Sequence, residues 1–287
     1  TVRSTGQPLT ILPNQTKDVT NTATTQVWDT VLNNTKKFAA GANAVVKING
    51  QTIDVMPRKT ITPASILAVD RDVAVAVTLS GDPAGSSLPP KSVWLQDDAN
   101  SSPDFWATFE LERLGTTAAP MITAPTGADS VQIDLRVGSG VGSVWTEGSV
   151  TPIADAAFPT LPSGKTLADV TGIKITFSKA NGGYLATAWE SAAVPLTFAV
   201  RDSYDFPASG KQTVINTMSI QAVRVVRAPG EPDSPQNSDV KTAPATIELS
   251  AGSFAIAVLK DSVSTKFPTR LAEVGLARPW TLQFKNT

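Results

Sequence analysis

Gly172-Ile173-Lys174-Ile175-Thr176-Phe177 puts its apolar side chains at every second position, the period of a β-strand with one buried face. Similar runs lie on both sides of it: Ala44–Ile48, Val73–Leu79, Phe105–Leu111, Ser130–Val137, Pro195–Val200, Val214–Val226 and Phe254–Leu259. Twenty-one prolines and nineteen glycines punctuate the chain and leave little room for amphipathic helices. Asn49-Gly50 reads as a type I′ hairpin turn after Ala44–Ile48, and Gly81-Asp82-Pro83 and Asn181-Gly182-Gly183 read as loops. A short helical turn is expected only at Leu167–Val170. Many short strands with regular turns predict an all-β chain of tandem immunoglobulin-like β-sandwich domains.

The length of 287 residues suits two or three such domains. Only 17% of residues are charged, against about 25% in ordinary soluble domains. Short polar residues supply the remaining polarity, as befits a protein outside the cell. With 24 basic and 25 acidic residues the net charge is −1, and no basic cluster marks a nucleic-acid partner. No segment approaches the ~20 apolar residues of a membrane span. No signal peptide stands at the start and the first residue is Thr1, so the chain reads as a piece of something longer. Cysteine and histidine are both absent. Disulfides, thiolate metal sites, Ser-His-Asp triads and ordinary zinc sites are therefore excluded.

Parts of the sequence recur. Val19-Thr20-Asn21-Thr22-Ala23-Thr24-Thr25-Gln26 resembles Val214-Ile215-Asn216-Thr217-Met218-Ser219-Ile220-Gln221, and Val2-Arg3-Ser4 echoes Val200-Arg201-Asp202. Thr62-Pro63-Ala64-Ser65-Ile66 resembles Ala243-Pro244-Ala245-Thr246-Ile247, and Trp106–Phe109 is set against Trp280–Phe284. The repetition predicts three sandwiches: residues 1–117, an unmatched 118–198, and a second copy with shorter loops at 199–287. Gly115–Gly127 would link the first two. The competing division is one full repeat, at about 62–228, flanked by two half-repeats whose exposed apolar faces would be unstable.

The stretches PLTFAVRDS, VINTMSIQA, AAFPTLPSGKTLADVTGIKITF and VTNTATTQVWD resemble repeat units of large, cell-wall-anchored surface proteins of actinobacteria, similar in plan to Gram-positive adhesins. The resemblance implies a structural or adhesive stalk module that is not an enzyme. It implies display at the extracellular cell wall, and neighbouring domains of the same parent chain as partners. It carries over no functional residue. A module that binds a host glycan or matrix protein is the alternative, followed by an accessory domain of a secreted polysaccharide enzyme. A phage fibre also fits a cysteine-free β-chain.

The surface-protein resemblance raises an intramolecular Lys–Asn isopeptide bond, which needs an amine, a carboxamide and an acid in one apolar core. The candidates are Lys174 or Lys47, Asn216 or Asn21, and Glu110, although both lysines sit opposite the apolar face of their strands. Asp97, Asp98, Asn100 and Asp104 form a loop cluster of oxygen ligands suited to calcium, the one cofactor considered. Glu110, Glu112, Glu147 and Glu190, with Trp106, Trp145 and Trp189, are the carboxylates and sugar platforms a glycosidase would need. Tyr184 and Tyr204 are candidate binding aromatics.

Overall fold

Strand pairing joins residues far apart in sequence into two sheets over one core. The computed structural model describes residue 11, residues 15–28, 31, 37–116, 121–138, 140–225 and 236–251. The chain is all-β. Among the described residues helix is confined to α1 (Pro103–Thr108) and short 3₁₀ turns, one of them at Leu167–Asp169 as the sequence predicts. No helix among them is long and apolar enough to cross a membrane.

The strands are β1 (Thr16–Trp28), β2 (Lys37–Asn49), β3 (Val55–Thr62), β4 (Ser65–Leu67), β5 (Val75–Pro83), β6 (Ser92–Asp98) and β7 (Phe109–Leu114). They continue with β8 (Ser130–Val137), β9 (Val144–Thr146), β10 (Thr151–Pro152), β11 (Val170–Ser178), β12 (Ala192–Val200), β13 (Lys211–Val223) and β14 (Lys241–Ser250). A four-stranded sheet runs β3-β5-β12-β7. An eight-stranded sheet runs β10-β8-β11-β6-β13-β14-β4, with β9 added on β8. All pairs are antiparallel except β4–β14, which is parallel. The two sheets share one hydrophobic core, with β3 and β5 contributing Val55, Val75, Val77 and Leu79, and the larger sheet contributing Leu95, Ile133, Ile175, Met218 and Ile247.

The period-two strands form because alternation lets one face leave water while the other stays wetted. Ile173, Ile175 and Phe177 are buried in β11, and Lys174 and Thr176 between them are partly exposed. β8 matches the predicted Ser130–Val137. Three local readings change. Phe105–Leu111 is helix and then strand, because Pro103 starts a helical turn whose Phe105 and Trp106 both enter the core. Asn49-Gly50 does not turn a hairpin into β3: β2 pairs with β1, and β3 pairs with β5. Gly81-Asp82-Pro83 lies within β5, where edge pairing on β3 extends the strand to Pro83. Phe254–Leu259 and Trp280–Phe284 lie outside the described residues.

The strand pairs also cross the borders expected at 117/118 and 198/199. β6 pairs with β11 and β13, β12 pairs with β5 and β7, and β12 itself spans residue 199. Segment 118–198 therefore supplies inner strands to both sheets and does not close on itself. The likeness of Thr62–Ile66 to Ala243–Ile247 has no structural counterpart: the first spans the β3–β4 corner, and the second lies inside β14. β1–β2 is a separate two-stranded sheet, paired with no other strand among the described residues.

Candidate functional site

Lys59, Asp97 and Asn216 meet between the two sheets. β3 carries Lys59 at the edge of the four-stranded sheet, while β6 and β13, neighbours in the larger sheet, carry Asp97 and Asn216. Each residue takes an inward slot of its strand. Val55 and Lys59 are buried on one face of β3, Val93, Leu95 and Asp97 on one face of β6, and Val214, Asn216 and Met218 on one face of β13.

Lys59 Nζ donates to Asp97 Oδ2 at 2.5 Å, with both side chains fully buried. Asn216 Nδ2 donates to the same oxygen at 3.0 Å. The amine and the amide therefore meet through one carboxylate atom. Trp106 Nε1 donates to Asp97 Oδ1 at 3.1 Å. Asn216 Oδ1 is buried without a hydrogen-bond partner. A lone acceptor of this kind is costly in a core and calls for an explanation.

Burial pushes the Lys59 ammonium below its ordinary value, against the opposing charge and hydrogen bond of Asp97. An aromatic wall keeps water out. Phe105 stacks on Phe109 at 4.7 Å, Phe198 meets Phe105 and Trp106 edge-on at 5.1 and 5.4 Å, and Lys59 Nζ lies 5.9 Å from the Phe105 ring centre.

Local structure holds Trp106 in place. Ser102, before α1, accepts the Thr217 amide on its hydroxyl at 2.6 Å, which fastens α1 to β13 beside Asn216. Arg201, just after β12, donates to the carbonyls of Trp106 and Ala168 at 3.1 and 2.6 Å. Ser101 and Ser102 also return their amides to the Asp98 carbonyl, closing the turn between β6 and α1.

Of the residues expected to form an isopeptide bond, only Asn216 belongs to this cluster, and Asp97 and Trp106, expected in other roles, join it. Lys174 lies 5.1 Å from the Trp94 ring centre on the outer face of β11. Glu110 faces Arg201 at 3.8 Å and is one-third exposed. Lys47 and Asn21 lie in the β1–β2 sheet. Lys59 was missed, although it is in phase with Val55 and Ile61 along its strand. That phase is the signal the sequence offered.

The calcium cluster does not assemble. Asp97 turns into the core to meet Lys59, whereas Asp98 accepts the amides of Asn100 and Ser101 and the Gln96 side chain. Asn100 and Asp104 are exposed. Among the described residues no three carboxylates gather as a metal site. Trp106 and Trp189 are core residues, Trp145 is half-buried, and Glu112, Glu147 and Glu190 are exposed on separate segments. Tyr184 is exposed and lies against the cations of Lys91 and Arg224, and Tyr204 packs on Phe206.

The cluster brings together the groups that an amide exchange needs. A proton moved from Nζ to Oδ2 leaves a neutral amine, a carboxylic acid and a carboxamide in a dry pocket.

No protein-family model matches the chain, and no characterised protein sequence matches it. Among solved structures, the chain is similar to the C-terminal domain of the Streptococcus pyogenes antigen I/II-family protein AspA, with a TM-score of 0.30 and 12% identity, over 83% of this chain and 55% of that one. A structure described as BspA_C_mut gives 0.29 and 10%, over 75% and 50%. One described as a pore forming protein gives 0.22 and 9%, over 81% and 90%. The chain spans about half the length of the first two. These likenesses are too slight to define a role.

Proposed function

We propose that this chain is a load-bearing segment of a bacterial surface protein, a β-sandwich in a stalk that projects a distal binding region, locked by an isopeptide bond between Lys59 and Asn216. The observation that carries the reading is the buried Lys59–Asp97–Asn216 cluster. Neutral Lys59 Nζ attacks Asn216 Cγ, and Asp97 donates its proton to the carboxamide and then passes protons to the departing nitrogen. The new bond is Nζ–Cγ, the broken bond is Cγ–Nδ2, and ammonia leaves. No oxidant is needed. In this scheme the unpartnered Asn216 Oδ1 is the oxygen the acid serves once the amide turns over.

The placement suits a stalk. β3 opens the two-sheet unit and β13 is its penultimate strand, and they lie in opposite sheets. Tension entering through β3 would pass across the bond to β13 and bypass every strand between them. Single-molecule pulling of the full chain tests this. The linked chain should release no length from residues 59 to 216, whereas Asn216→Ala should release roughly 50 nm more, from 157 residues (216 − 59) at about 3.4 Å each. Equal lengths from both would reject the load-bearing role.

Trp106→Phe separates positioning from packing. It keeps an aromatic ring against Phe198 but removes the donor to Asp97 Oδ1. Bond formation followed by mass from the moment of synthesis, in a cell-free translation reaction, should slow by roughly ten-fold or more, the cost of one hydrogen bond to a charged group. The fold should persist. An unchanged rate would show that Trp106 only fills space.

A further inference from the structure

The hairpin β1–β2 reproduces the hairpin β13–β14 residue by residue. In β13–β14, Val214 faces Ile247, Asn216 faces Ala245 and Met218 faces Ala243. In β1–β2, Val19 faces Val46, Asn21 faces Ala44 and Ala23 faces Ala42. The likeness of Val19–Gln26 to Val214–Gln221 is thus also a likeness of pairing partners. Asn21 holds the place of Asn216, between a valine two residues before it and an alanine across the ladder.

The environments differ. Asn216 is fully buried, whereas β1 is exposed along its whole length, and Val19, Val45 and Val46 are 38%, 58% and 58% exposed. A lone hairpin with an apolar face is marginal in water. What surrounds β13–β14 shows what this hairpin lacks: the β3 edge packed across its face with its lysine, and β6 paired along its side with its aspartate. The lysine side of the pattern also recurs. Lys59 stands 11 residues after Ile48 (59 − 48), and Lys260 stands 11 residues after Leu249 (260 − 249), with Ile48 and Leu249 in matching places of their hairpins.

We infer that β1–β2 is the closing hairpin of a second two-sheet unit of the same kind, whose body stands N-terminal to it in tandem, and that Asn21 is the isopeptide asparagine of that unit. The inference rests on the Lys59–Asn216 reading. The occupant is a body of the β3–β12 type carrying a buried lysine and carboxylate. The exchange is the one written above: the lysine Nζ joins Asn21 Cγ and ammonia leaves.

The test extends the full chain by a copy of residues 51–198 placed directly before Thr1, since Val2-Arg3-Ser4 echoes Val200-Arg201-Asp202. Intact mass should fall by about 34 Da, twice the deficit of one bond. Fragmentation should join the added copy's lysine to Asn21, and Asn21→Ala should return the deficit to about 17 Da. Ala23 and Thr25 are smaller than Met218 and Ile220, which fill the same inward slots of β13. A second version with Ala23→Met and Thr25→Ile therefore keeps the borrowed core full. A single deficit in both versions, with Asn21 unlinked and Lys59–Asn216 joined, overturns this inference alone. No deficit at either pair overturns both readings.

Discussion

The purified chain should weigh about 17 Da less than its sequence requires, the mass of one lost ammonia. Lys59→Ala, Asp97→Ala and Asn216→Ala should each keep the ammonia, so that each variant has its full calculated mass. Lys174→Ala and Glu110→Ala should leave the deficit intact, since neither residue approaches Asn216: one lies on Trp94 and the other faces Arg201. The stability effect should be large. The bond closes a loop of 157 residues (216 − 59), and the chain-entropy treatment of crosslinks assigns such a loop about 5 kcal/mol. For a unit of this size that is a melting temperature lower by roughly 10–20 °C in Asn216→Ala. Mass spectrometry and a thermal melt on the same preparations check both halves. A full-mass wild-type chain, stable or not, would end the proposal.

Phe198→Ala should cost about 3–5 kcal/mol, the range for removing a buried aromatic ring. Phe198 is fully buried in β12, the inner strand between β5 and β7, and it touches both Phe105 and Trp106. Its loss opens a void against α1, the element that holds the Trp106 indole on Asp97. The variant should therefore melt lower and also link more slowly. Measuring it again in the Asn216→Ala background separates the two effects, since only the packing loss remains there. Val150→Ala is the matched control: it is 57% exposed and should change stability by less than about 0.5 kcal/mol. A Phe198→Ala chain that melts like Val150→Ala would show that the aromatic wall is not the centre of the core.

Much of this architecture was legible one strand at a time. β11 and β13 declare themselves by alternation, because each has one face more buried than the other and partners on both sides, whereas β8 and β12, buried on both faces, stand out as β-rich runs. The two sheets were not legible as units. Pairing β6 with β11 and β13 brings together residues more than seventy positions apart, and nothing local in Val93 or Ile173 encodes that choice. Repetition was visible, but it suggested copies that begin at residues 1 and 199. The ladder pairs match hairpin to hairpin, which sets the repeat in a different phase.

The site was half legible for a related reason. Asn216 stood out because its surroundings recur at Asn21. Lys59 was readable in principle, as a lysine in phase with Val55 and Ile61, whereas Lys174 is out of phase with Ile173, Ile175 and Phe177. Asp97 was noticed as a loop ligand for calcium, whereas the structure turns it into the core against Lys59. Read with Asn100 and Asp104 it belongs to a polar loop; read with Val93 and Leu95 it is the third inward residue of a strand. A charged residue at an apolar phase is the sign that would have found both.

The order of the strands also sets a clock. Lys59 is made early in the unit, and Asn216 only after nearly every other strand. On the proposed chemistry, the lysine would stay hydrated, protonated and unreactive until β13 docks beside β6 and the core closes over it. The proposed linkage would thus record the completion of folding: a chain that stalls or misfolds keeps its ammonia, and one that arrives is sealed without an enzyme to inspect it.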